Sequence, residues 1–254
     1  MIRVLYIDDE SSLLTLTQIY LKEEAGIDVE VSASPVQGLA MFQASGYDAI
    51  ISDYDMPEID GIEFLKQVRE YDLTIPFIVF TGKGREEVAI EALNNGADFY
   101  IQKGGEPRTI FTELANAIRH LVRRSHAERH ATLTEQQMRV FLDSIPDLAF
   151  IKGPDLRLLF INSAYTEHLG LPCPDDAVGK RDEDLLPPDL AHKCRISDEQ
   201  TISQNKVVVV TESSRDKKYQ VRKFPLPFPD GMTGVGGIIR EIEGDSQNST
   251  MNHQ

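Results

Sequence analysis

The chain has 254 residues, 41% of them hydrophobic and 26% charged, with a formal net charge of −15. That length buries a sizeable core, most simply as two domains. The acidity argues against a nucleic-acid footprint, which is basic, and no apolar run approaches the roughly 18–20 residues of a membrane span. The opening MIRVLYIDDE lacks the pattern of a secretory signal, and Cys173 and Cys194 form no motif. A reduced, cytoplasmic setting is therefore expected.

Residues 1–125 alternate in character. Short apolar runs at 3–7, 27–32, 48–52, 76–80 and 98–102 read as strands. Between them apolar residues recur at helical spacing, as at Leu13, Leu14, Leu16, Tyr20 and Leu21, or at Ile62, Leu65 and Val68. Ser34-Pro35 and Asp60-Gly61 read as helix starts, and Gly26, Gly46 and Gly96 as stops. Five strands alternating with five helices predict an α/β fold, with a parallel sheet covered on both faces. A fifth helix is predicted from Pro107 through Phe111, Leu114, Ile118, Leu121 and Val122, closing a domain at 1–122. Residues 123–137 are polar and basic, a helical linker without a sustained apolar seam. Residues 138–243 read as two short strands around a Gly-Pro-Asp turn, a short helix, a helix pair broken by Pro187-Pro188, and three strands. This is a smaller α+β module. The polar residues 244–254 are expected to be a disordered tail.

Placed on this scheme, Asp8 and Asp9 follow the first strand, Asp53 the third, Thr81 the fourth and Lys103 the fifth. All stand at carboxyl ends of parallel strands, the edge at which open α/β sheets bind ligands. Three acidic groups with no His or Cys among them favour a hard, oxygen-seeking cation such as Mg²⁺.

With Asp8-Asp9, Asp53, Met56-Pro57, Asp60-Gly61, Thr81 and Lys103 in this order and spacing, the first half resembles a response-regulator receiver domain, a flavodoxin-like fold. FTGKGREE (80–87) and GADFYIQKGGEP (96–107) resemble the receiver variety of archaeal, methanogen-type signalling proteins. The resemblance implies that Asp53 is the phosphoacceptor, a carboxylate nucleophile served by a histidine kinase or phosphotransfer protein. Asp9, Asp53 and the backbone carbonyl of Asp55 would hold Mg²⁺, with Asp8 acting through a water. Lys103 would neutralise the phosphoryl group. Thr81 and the N–H of Gly82 would bond its oxygens, and Tyr100 would swing inward when Thr81 moves. The resemblance also allows a homodimer through the face of the fourth helix, fifth strand and fifth helix. In one departure, the family usually has a cis-linked Pro after the lysine, whereas KGGEP stands here and leaves the Lys103–Gly104 bond open. Two rival readings are an interaction protein with an inactive receiver and a haloacid-dehalogenase-like phosphatase, whose nucleophile motif DYD (53–55) resembles. In such phosphatases the second acidic pair follows the lysine, whereas here it precedes it.

Residues 138–243 resemble a PAS domain, on SIPDLAFIKG (144–153), FINSAY (160–165), VGKRDEDLLP (178–187) and FPLPFPDGMTGVGGIIREIE (224–243). Asn162 matches a capping residue of that family, while Glu241-Ile242-Glu243 replaces its common Asp-Ile-Thr ending. No flavin-type cysteine motif surrounds Cys173 or Cys194. His192 is the one candidate haem ligand, and Phe150, Phe160, Val208 and Val210 are expected to fill a small core. The PAS ligand is thus unknown, or there is none. TGKG (81–84) is no P-loop, GVGG (234–237) precedes no helix, and neither a kinase core nor a helix-turn-helix remains to be assigned. The expectation is a two-component response regulator and not an enzyme, with its signal relayed to a PAS sensory or interaction module.

Overall fold

The computed structural model describes residues 1–82, 86–214 and 217–242. The tail expected at 244–254, and part of FTGKGREE, lie outside the described residues. The chain divides into two compact units, Met1–Thr132 and Leu133–Gln254.

The first unit runs β1 (Arg3–Ile7), α1 (Ser11–Glu23), β2 (Asp28–Ser32), α2 (Pro35–Ala44), β3 (Ala49–Ser52), α3 (Gly61–Tyr71), β4 (Phe77–Thr81), α4 (Glu86–Asn94), β5 (Phe99–Gln102) and α5 (Pro107–Asp143). Its strands form one parallel sheet in the order β2-β1-β3-β4-β5. Successive strand residues point to opposite faces, and here each face has its own core. Val4, Tyr6, Ile51, Ile78 and Phe80 pack with Leu14 and Leu21 of α1 and with Phe111, Leu114 and Ile118 of α5. Leu5, Ile7, Ile50, Phe77 and Val79 pack with Ile62, Phe64, Leu65 and Val68 of α3. Each fully buried side chain of this kind contributes about 1.5–3 kcal/mol. Because both faces are covered, the central strands β1, β3 and β4 read as nearly unbroken apolar runs.

Local chemistry sets the helix boundaries. The Asp60 carboxylate accepts the N–H groups of Ile62 and Glu63 at 2.9 and 2.8 Å, capping α3. Ser34 caps α2 by accepting from Gln37. Such caps are worth about 1 kcal/mol each. Gly26 and Gly96, at φ 65° and 94°, make the left-handed turns after α1 and α4. Helix α5 spans 37 residues, since nothing between Arg108 and Asp143 is Gly or Pro. Past Val122 it still touches the first unit: His126 meets Asp48 at 2.9 Å and Arg129 meets Asp72 at 2.7 Å.

The second unit continues from the end of α5 with β6 (Leu148–Lys152), β7 (Leu158–Ile161), α6 (Ser163–Leu169), a 3-10 turn at Pro174–Asp176, α7 (Asp182–Leu185), α8 (Pro188–Gln204), β8 (Val208–Ser214), β9 (Lys217–Pro227) and β10 (Thr233–Ile242). These strands form an antiparallel sheet in the order β7-β6-β10-β9-β8. Phe150, Leu158, Ile161, Tyr165 and Val235 form its core. The sequence expectation is corrected here. Phe150 is buried, but Phe160, Val208 and Val210 are only half-buried, because β7 and β8 are the edge strands. A Cβ at Gly236 or Gly237 would run into the ring of Phe224 or Phe150, so the GVGG run makes room for aromatic rings. Fully buried Asn162 caps α6, its Oδ1 accepting from Tyr165 and from the N–H of Ala149. Its Nδ2 donates to the carbonyls of Leu142, Ile145 and Asp147.

Candidate functional site

The first sheet reverses direction between β1 and β3: the chain steps from β1 outward to β2, then crosses to β3 on the other side. α1 packs on one face and α3 on the other, which opens a crevice at the carboxyl ends of these two strands. Asp8 and Asp9 leave β1 into it, and Asp53 leaves β3. One carboxylate oxygen from each of the three lies within 4.8 Å of the others. Lys103, just past β5, brings its Nζ to 2.6 Å from Asp8 Oδ2 and 3.2 Å from Asp53 Oδ1.

The three carboxylates are not equivalent. Asp8 is fully buried and Asp9 exposed, while Asp53 is 6% exposed. Asp8 is well satisfied: its Oδ1 accepts the Glu10 N–H at 3.0 Å, and its Oδ2 accepts from Lys103 and from the Tyr6 hydroxyl. The buried Asp53 Oδ1 has no hydrogen bond, its contact with Lys103 being one of charge without hydrogen-bond geometry. Burial pushes the Asp53 carboxyl above the usual carboxylate range; Lys103 opposes that rise and Asp8 adds to it. Burial, then the Asp8 charge, raises the Tyr6 hydroxyl and keeps it a donor.

The loop carrying Asp53 closes on itself. The Asp53 N–H donates to Ile7 at 2.8 Å, the Gly61 N–H to the Tyr54 carbonyl at 2.9 Å, and the Ser52 hydroxyl to the Asp53 carbonyl at 2.8 Å. A Cβ at Gly61 would overlap that same Asp53 carbonyl, so the return of the loop requires glycine. Asp55 is exposed on this loop. Thr81, 1% exposed, ends β4, its carbonyl taking the Lys103 N–H at 2.8 Å, and Gly82 follows it. Tyr100 is half-buried on β5, the edge strand. The structure thus gathers Asp8, Asp9, Asp53 and Lys103 into one cluster, with Asp55, Thr81, Gly82 and Tyr100 on the neighbouring loop and strands. Among the described residues no peptide bond is cis, and Gly105, at φ 116°, takes up the turn after Lys103. Three carboxylates against one lysine, with a buried oxygen lacking a hydrogen bond, fit a hard divalent cation such as Mg²⁺.

Two features were not read from the sequence. One is Tyr6, although the period of two places Tyr6 and Asp8 on the same side of β1. The other is a second charged cluster, in the second unit. Lys152 Nζ lies 2.5 Å from Asp182 and 2.7 Å from Asp198, and Lys223 Nζ lies 2.5 Å from Asp198. Lys223 also donates to the Ser197 hydroxyl and the Cys194 carbonyl. All four charged groups are buried, and both ammonium groups lie over the Phe150 ring. Burial lowers the Lys152 pKa, but Asp182 and Asp198 outweigh it and leave the pKa raised. Burial pushes the Cys194 thiol up to about 12, that of an inert cysteine. His192 is exposed, its Nδ1 3.2 Å from Arg195. That places the candidate haem ligand on the surface and not in a pocket.

Residues 4–115 match the family model of the response regulator receiver domain, and residues 142–245 that of the PAS fold. The transcriptional regulatory protein TrcR of Mycobacterium tuberculosis is 38% identical over 131 residues, covering 51% of this chain and 49% of that protein. The alkaline phosphatase synthesis transcriptional regulatory protein PhoP of Bacillus subtilis is 34% identical over 123 residues, covering 48% and 49%. The chain therefore spans about half the length of the curated relatives it matches. Among solved structures, the receiver domain of Francisella response regulator 1452 is 30% identical, covers 49% of this chain and 99% of that one, and superposes with a TM-score of 0.45. A CheY-like receiver domain protein from Methanospirillum hungatei is 27% identical, covers 49% and 98%, and gives a TM-score of 0.45. Among the described residues no helix is long and apolar enough to cross a membrane. The chain joins a response-regulator receiver domain, over residues 4–115, to a PAS fold, over residues 142–245.

Proposed function

We propose that this chain is a cytoplasmic two-component response regulator that accepts a phosphoryl group on Asp53 from a histidine kinase or phosphotransfer protein. Its domains would be a receiver at 1–122, a helical linker at 123–137 and a PAS module at 138–243. The observation that carries this reading is the convergence of Asp8, Asp9, Asp53 and Lys103 where the sheet reverses. An Asp53 carboxylate oxygen attacks phosphorus, and the P–N bond of the donor breaks with its electron pair going to the imidazole. Asp9, Asp53 and the Asp55 carbonyl would hold Mg²⁺, with Asp8 acting through a water; when bound, the ion offsets the charge on the phosphoryl oxygens. Lys103, already beside Asp53, supplies the protein's own positive charge. The Thr81 hydroxyl and Gly82 N–H take up phosphoryl oxygens, and Tyr100 turns inward behind Thr81.

Helix α5 runs from the receiver into the PAS module without a break, which supports relay of the signal along it. The apolar side chains of Ile90, Leu93 and Phe99 are exposed on α4 and β5, which supports pairing of two copies through that face. The test is intact-mass analysis with a small acyl-phosphate donor and Mg²⁺. The native chain gains one base- and hydroxylamine-labile phosphoryl group, and Asp53→Asn gains none. Labelling of that variant on another aspartate would overturn the assignment.

A further inference from the structure

A narrow cleft of about 50 Å³ opens between the PAS sheet and its helices, room for about four water-sized occupants. Three rings line it, Tyr165 and His168 from α6 and Tyr219 from β9, among the aliphatic side chains of Leu148, Leu186, Val221 and Ile239. The Tyr165 and His168 ring centroids are 6.3 Å apart, and those of His168 and Tyr219 are 5.9 Å apart, edge to face at 80°. Leu190 and Cys194 of α8 form part of the lining, and Glu212 of β8, paired in register with Tyr219, supplies its one carboxylate.

One polar group here lacks a partner. Glu212 is half-buried, yet its carboxylate makes no ion pair or hydrogen bond among the described residues. Tyr165 is 7% exposed and lines the cleft. A carboxylate drawn partly out of water is costly unless a cation meets it. The faces of aromatic rings attract cations as well. An anion would be repelled by Glu212, and a neutral apolar molecule would leave it uncompensated. A bare divalent metal needs several oxygen ligands, and the lining offers one carboxylate.

We propose that this cleft binds a small organic cation, an alkylated ammonium, with its charge toward Glu212 and its methyl groups against Tyr165, His168 and Tyr219. The inference deepens the sensory reading of the PAS module. It is tested without reference to Asp53, so that phosphoacceptance and ligand binding fail separately. Cys194 lines the cleft, and its carbonyl accepts from Lys223 at 2.9 Å, so an occupant would press on the helix that holds the buried lysine–aspartate cluster.

The experiment is calorimetric titration of the full chain with tetramethylammonium chloride and, separately, with tert-butanol, a neutral molecule of similar size. Saturable binding of the ammonium is expected, with tert-butanol at least about tenfold weaker. Glu212→Gln should weaken the ammonium about tenfold while leaving Asp53 phosphorylation unchanged. Equal binding of the two probes, no saturable binding of tetramethylammonium, or an unaltered Glu212→Gln titration would each overturn the proposal. The two-probe comparison needs no variant to fold.

Discussion

Both units set lysine among aspartates, but the two clusters are composed differently. In the receiver, three carboxylates face one ammonium, Asp9 stays exposed, and the buried Asp53 Oδ1 is left without a hydrogen bond. In the PAS unit, two ammonium groups face two carboxylates, all four are buried, and both ammonium groups lie over Phe150. Removing one member of a balanced buried cluster leaves a buried charge uncompensated. An unbalanced cluster at an open strand edge is poised for a further cation. Residue types alone do not separate the two; charge count and access do.

The sharpest way to break this comparison is to remove a cation from each cluster. Lys223→Met should destabilise the PAS unit by about 3–5 kcal/mol, read as an earlier unfolding transition in urea. A near-neutral result would show that the PAS cluster is as tolerant as an open one. Lys103→Met should leave Mg²⁺ binding in place while slowing phosphorylation by an acyl-phosphate donor about 10²–10³-fold. A wild-type rate in that variant would mean the excess negative charge at Asp53 is offset elsewhere.

The smallest effect concerns a carboxylate outside both clusters. Burial alone would raise the Asp72 pKa, but the N–H and hydroxyl of Thr74, the Arg129 charge and the Ile75 N–H hold it below the usual range. Its folded pKa thus lies below the unfolded value of about 3.9. Its contribution is present above that value and is lost as pH falls through the folded pKa. Melting midpoints of the native chain and Asp72→Asn should differ at neutral pH and converge below about pH 4. A constant gap across that range would show that the Asp72 charge contributes nothing.

The receiver site was legible in the sequence because it is built from strand ends. Apolar runs such as FIVF locate β4, and Asp53, Thr81 and Lys103 then fall at carboxyl ends without further information. The PAS cluster was not legible because each member has an ordinary local explanation. Lys152 reads as the polar end of a strand, Asp182 as a residue of a first helical turn, and Asp198 as one more charge in a polar helix. Val221 and Lys223 do share a side of β9, so the buried Val221 was the available clue. What sequence periodicity does not supply is which helix comes to lie over that side. The half-buried Phe160, Val208 and Val210 follow from the same limit, since edge position depends on strand order.

Asn162 has a consequence for the time course of folding. Its side chain bonds Leu142, Ile145, Asp147, Ala149 and Tyr165, all nearby in the chain. Loops of about 10 residues close in roughly 10–100 ns, and each doubling of length adds only about 0.6 kcal/mol to the closure cost. The sheet, by contrast, must join residues 148–152 to residues 235–239 across most of the unit, the kind of distant pairing that makes folding slow. The Asn162 contacts are therefore expected to tie the end of α5, β6 and α6 together before β10 arrives to complete the sheet.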